Sequence, residues 1–335
     1  MNHPQLDTWI ELGNELKSIS EETLEDLAFR AGQRNPWFTK GSVEKAINGI
    51  ATLLKEENLK SWVQNYPDIP VDLPKKIGVV MAGNIPGVGF HDLLSILLSG
   101  HIAKVKYSSQ DQVIINFILN KLFNLNPQLS DKVEIVDKLK DFDAVIATGS
   151  DNTGRYFDYY FGKYPNIIRR NRTSAAILTG EESDKELKKL GEDIFTYFGL
   201  GCRNVSLILV PEGYDFKKFF EAIEDFNSVI NHHKYNNNYD YNKSIYLVNK
   251  EDHLDNGFLL LKKTDNQIVS PISVVYYKEY KNKEELHNYL ESANDKIQCI
   301  VGQDDKFIGF GEAQNPKPWD YADNIDTLHF LSNLQ

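Results

Sequence analysis

Residues 77–100 read IGVVMAGNIPGVGFHDLLSILLSG, and this stretch decides the fold. The apolar run IGVVMAG predicts a short buried strand, and FHDLLSILLSG predicts an apolar helix that Gly100 ends. Between them a proline and two glycines follow Asn84, which predicts a tight turn. Open parallel sheets bind ligands beyond the carboxyl ends of their strands, and glycines let the backbone approach a ligand, so this turn is a candidate site. The alternative is an ordinary turn in which Asn84 caps the helix.

Strands and helices continue to alternate after this turn. IAKVKYS, KVEIV and FDAVIATGS predict strands, DQVIINFILNKLFN predicts a helix, and another helix is expected from about Asn152. This alternation predicts a parallel sheet covered on both faces. Before the sheet, residues 20–33 and 42–63 predict helices, the first capped by Ser20, and three prolines in residues 66–76 predict a connector.

A second α/β pattern begins at SAAILTG. ESDKELKKLGEDIFTYFGLG predicts a helix that leads to Cys202, while NVSLILV, KSIYLV and ISVVYYKEY predict strands. KNKEELHNYLESAN predicts a helix before KIQCIVG, and NHHKYNNNYDYNKS, rich in Asn and Tyr, predicts a loop. The expected fold class is therefore α/β, and a length of 335 residues suits two domains. The predicted division is 1–178, with 303–335 packing back, and 179–302.

Composition narrows the class of partner. The formal net charge is -11 and the pI is about 5.3, which disfavours nucleic acid and anionic membrane surfaces. Two cysteines cannot form a disulfide framework and fit a reducing compartment. The longest apolar stretch, LLSILLSGHIA, is too short to span a bilayer, and the start has no basic segment followed by an apolar one. We therefore expect a cytoplasmic protein without a membrane span.

Cys202 is the candidate nucleophile. It lies in FTYFGLGCRNVSLILV, after two glycines and just before an apolar strand. A lone cysteine is more often a packed residue, but packing does not require the preceding GLG. Cys299, in the middle of KIQCIVG, is expected to be the packed one. His232 and His233 are expected to be solvated, and His91 to cap a helix or pack. No cluster has metal-binding spacing, so no metal is expected.

Two further features each carry two interpretations. Gly149 and Ser150 follow a strand and open a helix, where backbone amides can hold a diphosphate, or Ser150 is an ordinary helix cap. The basic run IIRRNR either binds phosphates of a ligand through Arg169, Arg170 and Arg172 or forms a solvated turn.

Taken in order, these segments resemble the aldehyde dehydrogenase superfamily. Within it they resemble the acyl-CoA reductase branch related to the fatty-acyl-CoA reductase of bacterial bioluminescence. The resemblance runs from about Ile77 to about Leu331 and is strongest in GVVMAGNIPGVG, GLGCRNVSLILV and GFGEAQNPKPWDYADNIDTLHFL. It implies a Rossmann-type nucleotide-binding sheet, a second α/β domain that carries Cys202, and a helical N-terminal segment. It also implies an aldehyde-forming oxidoreductase.

The resemblance implies roles for individual residues. Cys202 matches the nucleophile, and Asn84 matches the asparagine whose side-chain amide joins the nucleophile's own N–H in the oxyanion hole. Lys106 matches the lysine that contacts the adenosine ribose. Gly149 and Ser150 match the Gly-Ser pair beneath the cofactor diphosphate.

The departures from the family pattern point to one reaction. RRNRT, residues 169–173, stands where aldehyde-oxidising members carry a Glu general base, and without that base hydrolysis of a thioester should be slow. Ser109 replaces an acidic residue that would repel a 2′-phosphate, which favours NADPH over NADH. Gln267 replaces the Glu that holds the nicotinamide ribose. FGEA, near Phe310, is expected to return into the sheet.

The implied reaction is the NADPH-dependent reduction of an acyl-CoA of the fatty class to the aldehyde, with CoA as leaving group. Alternatives are an NAD(P)-dependent aldehyde dehydrogenase that forms the acid, and a non-catalytic ligand-binding relative. The sequence does not distinguish acyl-CoA from an acyl-protein thioester. An acyl-activating synthetase and a second copy in a homodimer are the protein partners that the resemblance suggests.

Overall fold

The computed structural model describes residues 5–334 of the chain. Contacts divide them into two units. One comprises the chain up to Asn171 and the segment from Pro316, and the other comprises Arg172–Asn315. The predicted boundaries at 178/179 and 302/303 differ from these, because Thr173–Ile177 pairs with strands of the second unit and the segment after residue 302 is hydrogen-bonded within that unit.

Four helices open the first unit: α1, Leu6–Lys17; α2, Glu21–Arg34; α3, Lys40–Leu53; and α4, Glu56–Val63. The prediction of N-terminal helices is therefore confirmed. Ser20 caps α2, since its side chain accepts a hydrogen bond from the Thr23 N–H. The helices bury apolar residues such as Trp9 and Trp62 in a core shared with the strands that follow.

Five parallel strands form the sheet of the first unit, in the order β3-β2-β1-β4-β5. In chain order the elements are β1, Lys76–Val80; α5, Phe90–Leu98; β2, Ile102–Lys106; α6, Gln112–Leu125; β3, Val133–Ile135; β4, Ala144–Thr148; α7, Asp151–Phe161; and β5, Asn166–Arg169. The chain runs outward from the central β1 to β3 and then crosses to β4. This is a Rossmann-type order with a topological switch point between β1 and β4.

Six strands form the sheet of the second unit, in the order β11-β6-β7-β10-β9-β8, and all pairs but β8–β9 are parallel. In chain order the elements are β6, Thr173–Ile177; α8, Asp184–Phe195; β7, Val205–Pro211; α9, Lys217–Ala222; α10, His233–Asn249; β8, Leu254–Asp255; β9, Leu260–Lys263; β10, Val274–Tyr280; α11, Lys283–Ser292; and β11, Ile297–Val301. A second apolar core includes residues of β6, β7 and β10. The two sheets and the N-terminal helices confirm the predicted α/β class.

Helix α10 overturns two predictions. The segment NHHKYNNNYDYNKS is not a loop and KSIYLV is not a strand, because both lie largely within α10. Asn and Tyr are weak helix formers. However, Tyr235, Tyr239, Asn242 and Tyr246 fall at helical spacing and are buried, and the Tyr235 hydroxyl donates to the Phe258 carbonyl at 2.9 Å. Tertiary burial therefore outweighs the weak local propensity.

The C-terminal segment packs on the first unit and ends in α12, Thr327–Ser332. Tyr321 anchors it: its hydroxyl accepts a hydrogen bond from Trp62 Nε1 at 2.7 Å and lies 2.7 Å from the Tyr66 hydroxyl. Tyr66 in turn donates to the Asp326 carboxylate at 2.7 Å. The motif WDYADNIDTLHFL therefore holds the end of the chain against α4 and α5.

Candidate active site

The carboxyl edge of the first sheet gathers five of the predicted site residues. Asn84 follows β1, Lys106 ends the neighbouring β2, and Gly149 and Ser150 follow β4 on the other side of β1. Ser109 is exposed three residues beyond Lys106. Because β1 and β4 flank the switch point, these residues lie where an open parallel sheet binds a ligand.

Two buried polar side chains hold the turn that carries Asn84. The Asn35 amide donates to the Gly83 carbonyl at 3.1 Å, and both carboxylate oxygens of Asp111 lie 3.0 Å from the Gly87 N–H. Gly87 has a φ of +70°, a conformation that favours glycine. Burial raises the pKa of Asp111 to about 8, although the Gly87 hydrogen bond lowers it. The turn is therefore braced from α6 and from the end of α2.

The alternative role of Asn84 as a helix cap is wrong. Helix α5 has Gly89 at its N-cap, and Asn84 is exposed five residues earlier. A side chain at Gly83 would collide with Ser108, so the chain beyond β2 packs directly against the residue before Asn84. The Asn84 amide is thus presented to solvent by a backbone that is fixed on both sides.

The Gly149–Ser150 turn is held at the same edge. The Gly149 N–H donates to the Arg169 carbonyl at 3.2 Å, and the Ser150 hydroxyl accepts from the Thr153 N–H at 3.3 Å. Ser150 is therefore the N-cap of α7, as one of the two interpretations states. The other interpretation, a diphosphate at this helix start, is not excluded by the cap, because a cap leaves other first-turn amides available.

The phosphate-binding interpretation of Arg169 is wrong. This side chain is 3% exposed: its Nη1 lies 2.7 and 2.6 Å from the two carboxylate oxygens of Asp92, and its Nη2 donates to Thr327 Oγ1 at 2.8 Å. The residue ends β5, so its side chain packs under α5 and α12. Arg170, in contrast, is exposed and pairs with Asp158. The run IIRRNR is thus a strand end rather than a solvated turn.

The predicted nucleophile lies in an unusual turn of the second unit. Tyr197, Phe198 and Gly199 have φ values of +54°, +58° and +81°, and Gly201 has +98°. Cys202 follows at intermediate exposure, and β7 begins three residues later. Left-handed backbone at non-glycine residues costs free energy and concentrates at functional sites. The turn presents the thiol at the amino end of a central strand instead of packing it within one.

The second cysteine lies close to this turn. Cys299 on β11 has its Sγ 3.0 Å from the Ser174 hydroxyl, and that hydroxyl also donates to the Cys202 carbonyl at 3.1 Å. Neither cysteine forms a disulfide, and Cys299 is half-buried rather than fully packed. Ser174 on β6 therefore connects the nucleophile's backbone to β11.

Gln267 lies in the loop that connects β9 to β10, and its side chain is exposed. Its N–H donates to Thr264 Oγ1 at 2.9 Å. Ser206 on β7 donates its hydroxyl to the Ile268 carbonyl at 2.9 Å and accepts from the Ser270 N–H at 3.3 Å. The second unit therefore brings the Gln267 loop against the strand that follows Cys202.

Two histidines have different surroundings: His91 is packed in the first unit, and His232 contacts the turn that precedes Cys202. His91 packs on Trp62, and its Nε2 hydrogen-bonds the Pro318 carbonyl at 2.7 Å, so its predicted packing role is confirmed. Burial lowers the pKa of His91. His232 is not simply solvated: its ring lies 4.4 Å from the Phe198 ring, and its Nδ1 accepts from the Tyr235 N–H to cap α10.

Sequence reasoning missed Asp193 and Arg203 and misplaced FGEA. FGEA does not return into the sheet, although Ile308 makes a parallel bridge to Val301. Instead it forms a turn whose N–H groups are accepted by the fully buried Asp193 carboxylate and whose Ala313 carbonyl accepts from Arg203. The available signal was a carboxylate on the apolar face of α8, since Asp193 follows Leu187 and Leu190 at helical spacing.

Among residues 5–334, no group of three or more His, Cys, Asp or Glu side chains could hold a metal ion. Within the same range no helix is both long and apolar enough to cross a membrane.

The family model of the acyl-CoA reductases (LuxC) matches residues 14–232, which is more than half of the chain. The chain belongs to the acyl-CoA reductase (LuxC) family. The predicted relationship is therefore confirmed, and the chain is an enzyme of an aldehyde-forming oxidoreductase family. The matched range includes Cys202, Asn84 and the Gly149–Ser150 turn. No curated protein sequence matches the chain.

Solved structures with the same fold are aldehyde dehydrogenases and related oxidoreductases. A glyceraldehyde-3-phosphate dehydrogenase from Methanocaldococcus jannaschii, complexed with NADP, is 14% identical with a TM-score of 0.63, covering 90% of this chain and 76% of its own. An NADP-dependent enzyme from E. coli is 14% identical with a TM-score of 0.63, covering 90% and 73%. Aldehyde dehydrogenase 21 from Physcomitrella patens, in complex with succinate, is 14% identical with a TM-score of 0.61, covering 91% and 74%. These similarities show that the chain has the fold of these oxidoreductases.

Proposed function

We propose that this enzyme reduces an acyl-CoA to the aldehyde with NADPH, through a thioester on Cys202. The observation that carries the proposal is the placement of Cys202: a partly buried residue in a left-handed, glycine-containing turn, within the range that matches the acyl-CoA reductases. Cys299 is partly buried as well, but it lies within a strand, and a cysteine held for packing does not need the turn.

In the proposed reaction, the Cys202 thiolate attacks the carbonyl carbon of the acyl-CoA. A carbon–sulfur bond forms to Cys202, the bond to the CoA sulfur breaks, and CoA leaves with the electron pair and takes up a proton. The proposed oxyanion donors are the Cys202 N–H and the Asn84 side-chain amide. Removal of one such donor costs about 2.7–4 kcal/mol of transition-state stabilisation. The braces from Asn35 and Asp111 support this role, because a preorganised donor needs a fixed backbone.

The residues at the carboxyl edge of the first sheet fit a dinucleotide. Lys106, the last residue of β2, and Ser109, three residues later, are both exposed, which suits a phosphorylated ribose, and the Gly149–Ser150 turn opens α7. We assign the adenosine ribose to Lys106 and Ser109, the diphosphate to Gly149 and Ser150, and the nicotinamide ribose to Gln267. When bound, the reduced nicotinamide supplies the hydride that takes the Cys202 thioester to the aldehyde level.

The acyl-enzyme should be reduced rather than hydrolysed. The stretch RRNRT, residues 169–173, which matches the segment where aldehyde-oxidising relatives carry their general base, has no carboxylate, and its Arg169 is buried against Asp92. Without a base to activate water, hydrolysis of the thioester is slow. Return of the hydride-bearing carbon to a carbonyl releases the aldehyde and the Cys202 thiolate. An acyl-protein thioester made by an acyl-activating synthetase is the alternative donor, and it would use the same thiol.

Intact-protein mass spectrometry after exposure to acyl-CoAs of 4 to about 16 carbons tests the proposal. We expect a mass increment of one acyl group on the unmodified enzyme and on Cys299→Ala, and none on Cys202→Ala. Cys299→Ala is the matched control, because Cys299 shares the contact with Ser174 but lies on β11. An increment that survives in Cys202→Ala, or rapid acid formation from aldehyde and NADP⁺ without CoA, would contradict the proposal.

A further inference from the structure

The segment around Cys202 is closed into a ring by one residue of the FGEA turn. Ala313, which is fully buried, uses both of its backbone polar groups for this. Its N–H donates to Asp193 Oδ1 at 2.9 Å, and its carbonyl accepts from Arg203 Nε at 2.6 Å. Asp193 lies on α8 before the nucleophile turn, and Arg203 directly follows Cys202. The two ends of the segment 193–203 are therefore fixed to the same residue, Ala313.

The FGEA turn is itself shaped for this contact. Gly311 has a φ of +86°, which favours glycine, and its N–H donates to the other Asp193 oxygen, Oδ2, at 2.7 Å. A side chain at Gly311 would lie 3.2 Å from Lys189 Cβ, so the turn also packs against α8. Both oxygens of one carboxylate are thus used to hold a single turn at two points.

Burial of the Asp193 carboxylate disfavours its charged form and so works against the stability of the fold, which argues for a role in function. Its carboxylate is fully buried in the second unit, and the two N–H groups do not balance the loss of water: burial raises the pKa of Asp193 to about 6 despite those hydrogen bonds. The nearby Glu192 and Glu312 raise it further. Rules of stable design are broken mainly at functional sites, where a fixed geometry is needed.

The Arg203 side chain is held through its Nε atom. Its Nε is held by Ala313, and none of the described residues forms a salt bridge with its guanidinium. The hydrogen bond sets the plane of the guanidinium and the path of the backbone that carries Cys202. Loss of this contact would free the turn at the end that leads into β7.

We infer that Asp193 and Arg203 are positioning residues that hold Cys202 for acyl transfer through their shared contact with Ala313. This inference rests on the proposed function. They act on the nucleophile through the backbone and need not touch the substrate. The left-handed turn at residues 197–199 and 201 is also held inside the segment, by the Ser174 hydroxyl on the Cys202 carbonyl and by the His232 ring beside Phe198. Asp193 and Arg203 add the two outer fixed points, and release of either one lets the backbone that carries Cys202 adopt more conformations.

The test compares Asp193→Asn and Arg203→Met with the control variants Asp225→Asn and Lys217→Met. Asp225 is an exposed carboxylate that pairs with Lys188, and Lys188 lies on α8, the helix that also carries Asp193. Lys217 is an exposed cation on α9. Two quantities are measured: amide hydrogen exchange of residues 199–204, and the rate constant of Cys202 acylation by saturating acyl-CoA. We expect both test variants to exchange at least about tenfold faster and to be acylated at least about tenfold more slowly, with a half-saturating acyl-CoA concentration within about threefold of the parent.

Two further measurements separate positioning from general loss of structure. Arg203→Lys keeps a donor for the Ala313 carbonyl and should recover a large part of the acylation rate. As the pH drops below about 6, the parent rate should fall more steeply than the rate of Asp193→Asn, because protonation of Asp193 weakens its acceptance of the two N–H groups and occurs only in the parent.

Unchanged acylation in either test variant would overturn the inference, and so would faster exchange without slower acylation, which would leave only a structural role. If the folded parent enzyme were not acylated by any acyl-CoA, the proposed function would be wrong. The role of Asp193 and Arg203 in acyl transfer would then be wrong as well, whatever the exchange rates of the variants.

Discussion

In the proposed cofactor assignment, Ser109 lies beside the adenosine ribose, where a single charge would decide between NADPH and NADH. It is exposed three residues beyond Lys106, at the carboxyl edge of the first sheet. We predict that Ser109→Asp raises the KM for NADPH at least about tenfold and leaves that for NADH nearly unchanged, because a carboxylate repels the 2′-phosphate. Steady-state kinetics with both cofactors measure this.

Ser109→Ala is the control for that prediction, since it removes the hydroxyl without adding charge and should keep the preference for NADPH. If Ser109→Asp used NADPH as well as the parent does, the adenosine ribose would not lie near Ser109, and the assignment of Lys106 would lose its support.

Asp111 gives the stability of the protein a predictable pH dependence. Burial raises its pKa to about 8, so the folded state keeps the proton that the unfolded chain releases near pH 4. Between these values the folded state binds more protons, and stability therefore falls as the pH rises, by up to about 1.4 kcal/mol per pH unit from this group. Asp111→Asn should lack this contribution. Urea unfolding at pH 5 and pH 7.5 measures it, and identical pH dependence in parent and variant would refute it.

The role of a residue could be predicted where its neighbours in the sequence indicate it. It could not be predicted where the partners of that residue are distant in the sequence. Cys202 is preceded by two glycines in the sequence, and the structure gives those glycines the positive φ values that a turn needs. The sequence around Arg169 resembles a basic surface segment. In the structure its side chain is bound to Asp92 and Thr327, which are distant in the sequence. Asp193 meets its partners only through the fold.

At the scale of elements, the pair between Arg169 and Asp92 links β5 to α5, and its hydrogen bond to Thr327 adds α12. We predict that Arg169→Met lowers the free energy of unfolding by about 3–5 kcal/mol, because it leaves the Asp92 carboxylate buried without a counter-charge. The double variant with Asp92→Leu should recover much of this loss. Denaturant unfolding of the parent, both single variants and the double variant gives the coupling free energy.

A double variant no more stable than Arg169→Met would contradict that account, since the cost would then come from lost packing rather than from an unpaired charge. The same three-element contact explains why IIRRNR ends a strand: two isoleucines extend β5, and Arg169 is directed into the unit at its end.

Strong periodicity made most elements predictable, and α10 shows where it does not suffice. Its buried positions are tyrosines and an asparagine, which do not register as an apolar stripe, and its polar atoms find partners only in the folded unit. The apolar helices α5 and α6 lie where the pattern predicts them. The difference is whether a helix is stabilised by residues that the pattern itself reveals.

At the scale of the whole molecule, the sheet order could be anticipated only in class. Alternating strands and helices predict parallel sheets, but the central place of β1 and the switch to β4 follow from the crossovers, which no local segment encodes. The tail motif is a similar case: Tyr321 and Asp326 are hydrogen-bonded to Trp62 and Tyr66, more than 250 residues earlier in the chain. No local pattern in the tail identifies these partners.

The fate of the acyl-enzyme tests the central claim most directly. Enzyme labelled on Cys202 by a radioactive acyl-CoA is freed of CoA and mixed with NADPH in a single turnover. The account predicts that the label leaves as aldehyde, with one NADPH oxidised for each acyl group released, and that without NADPH the label stays on the protein. Release of the label as free acid at the same rate with or without NADPH would contradict it.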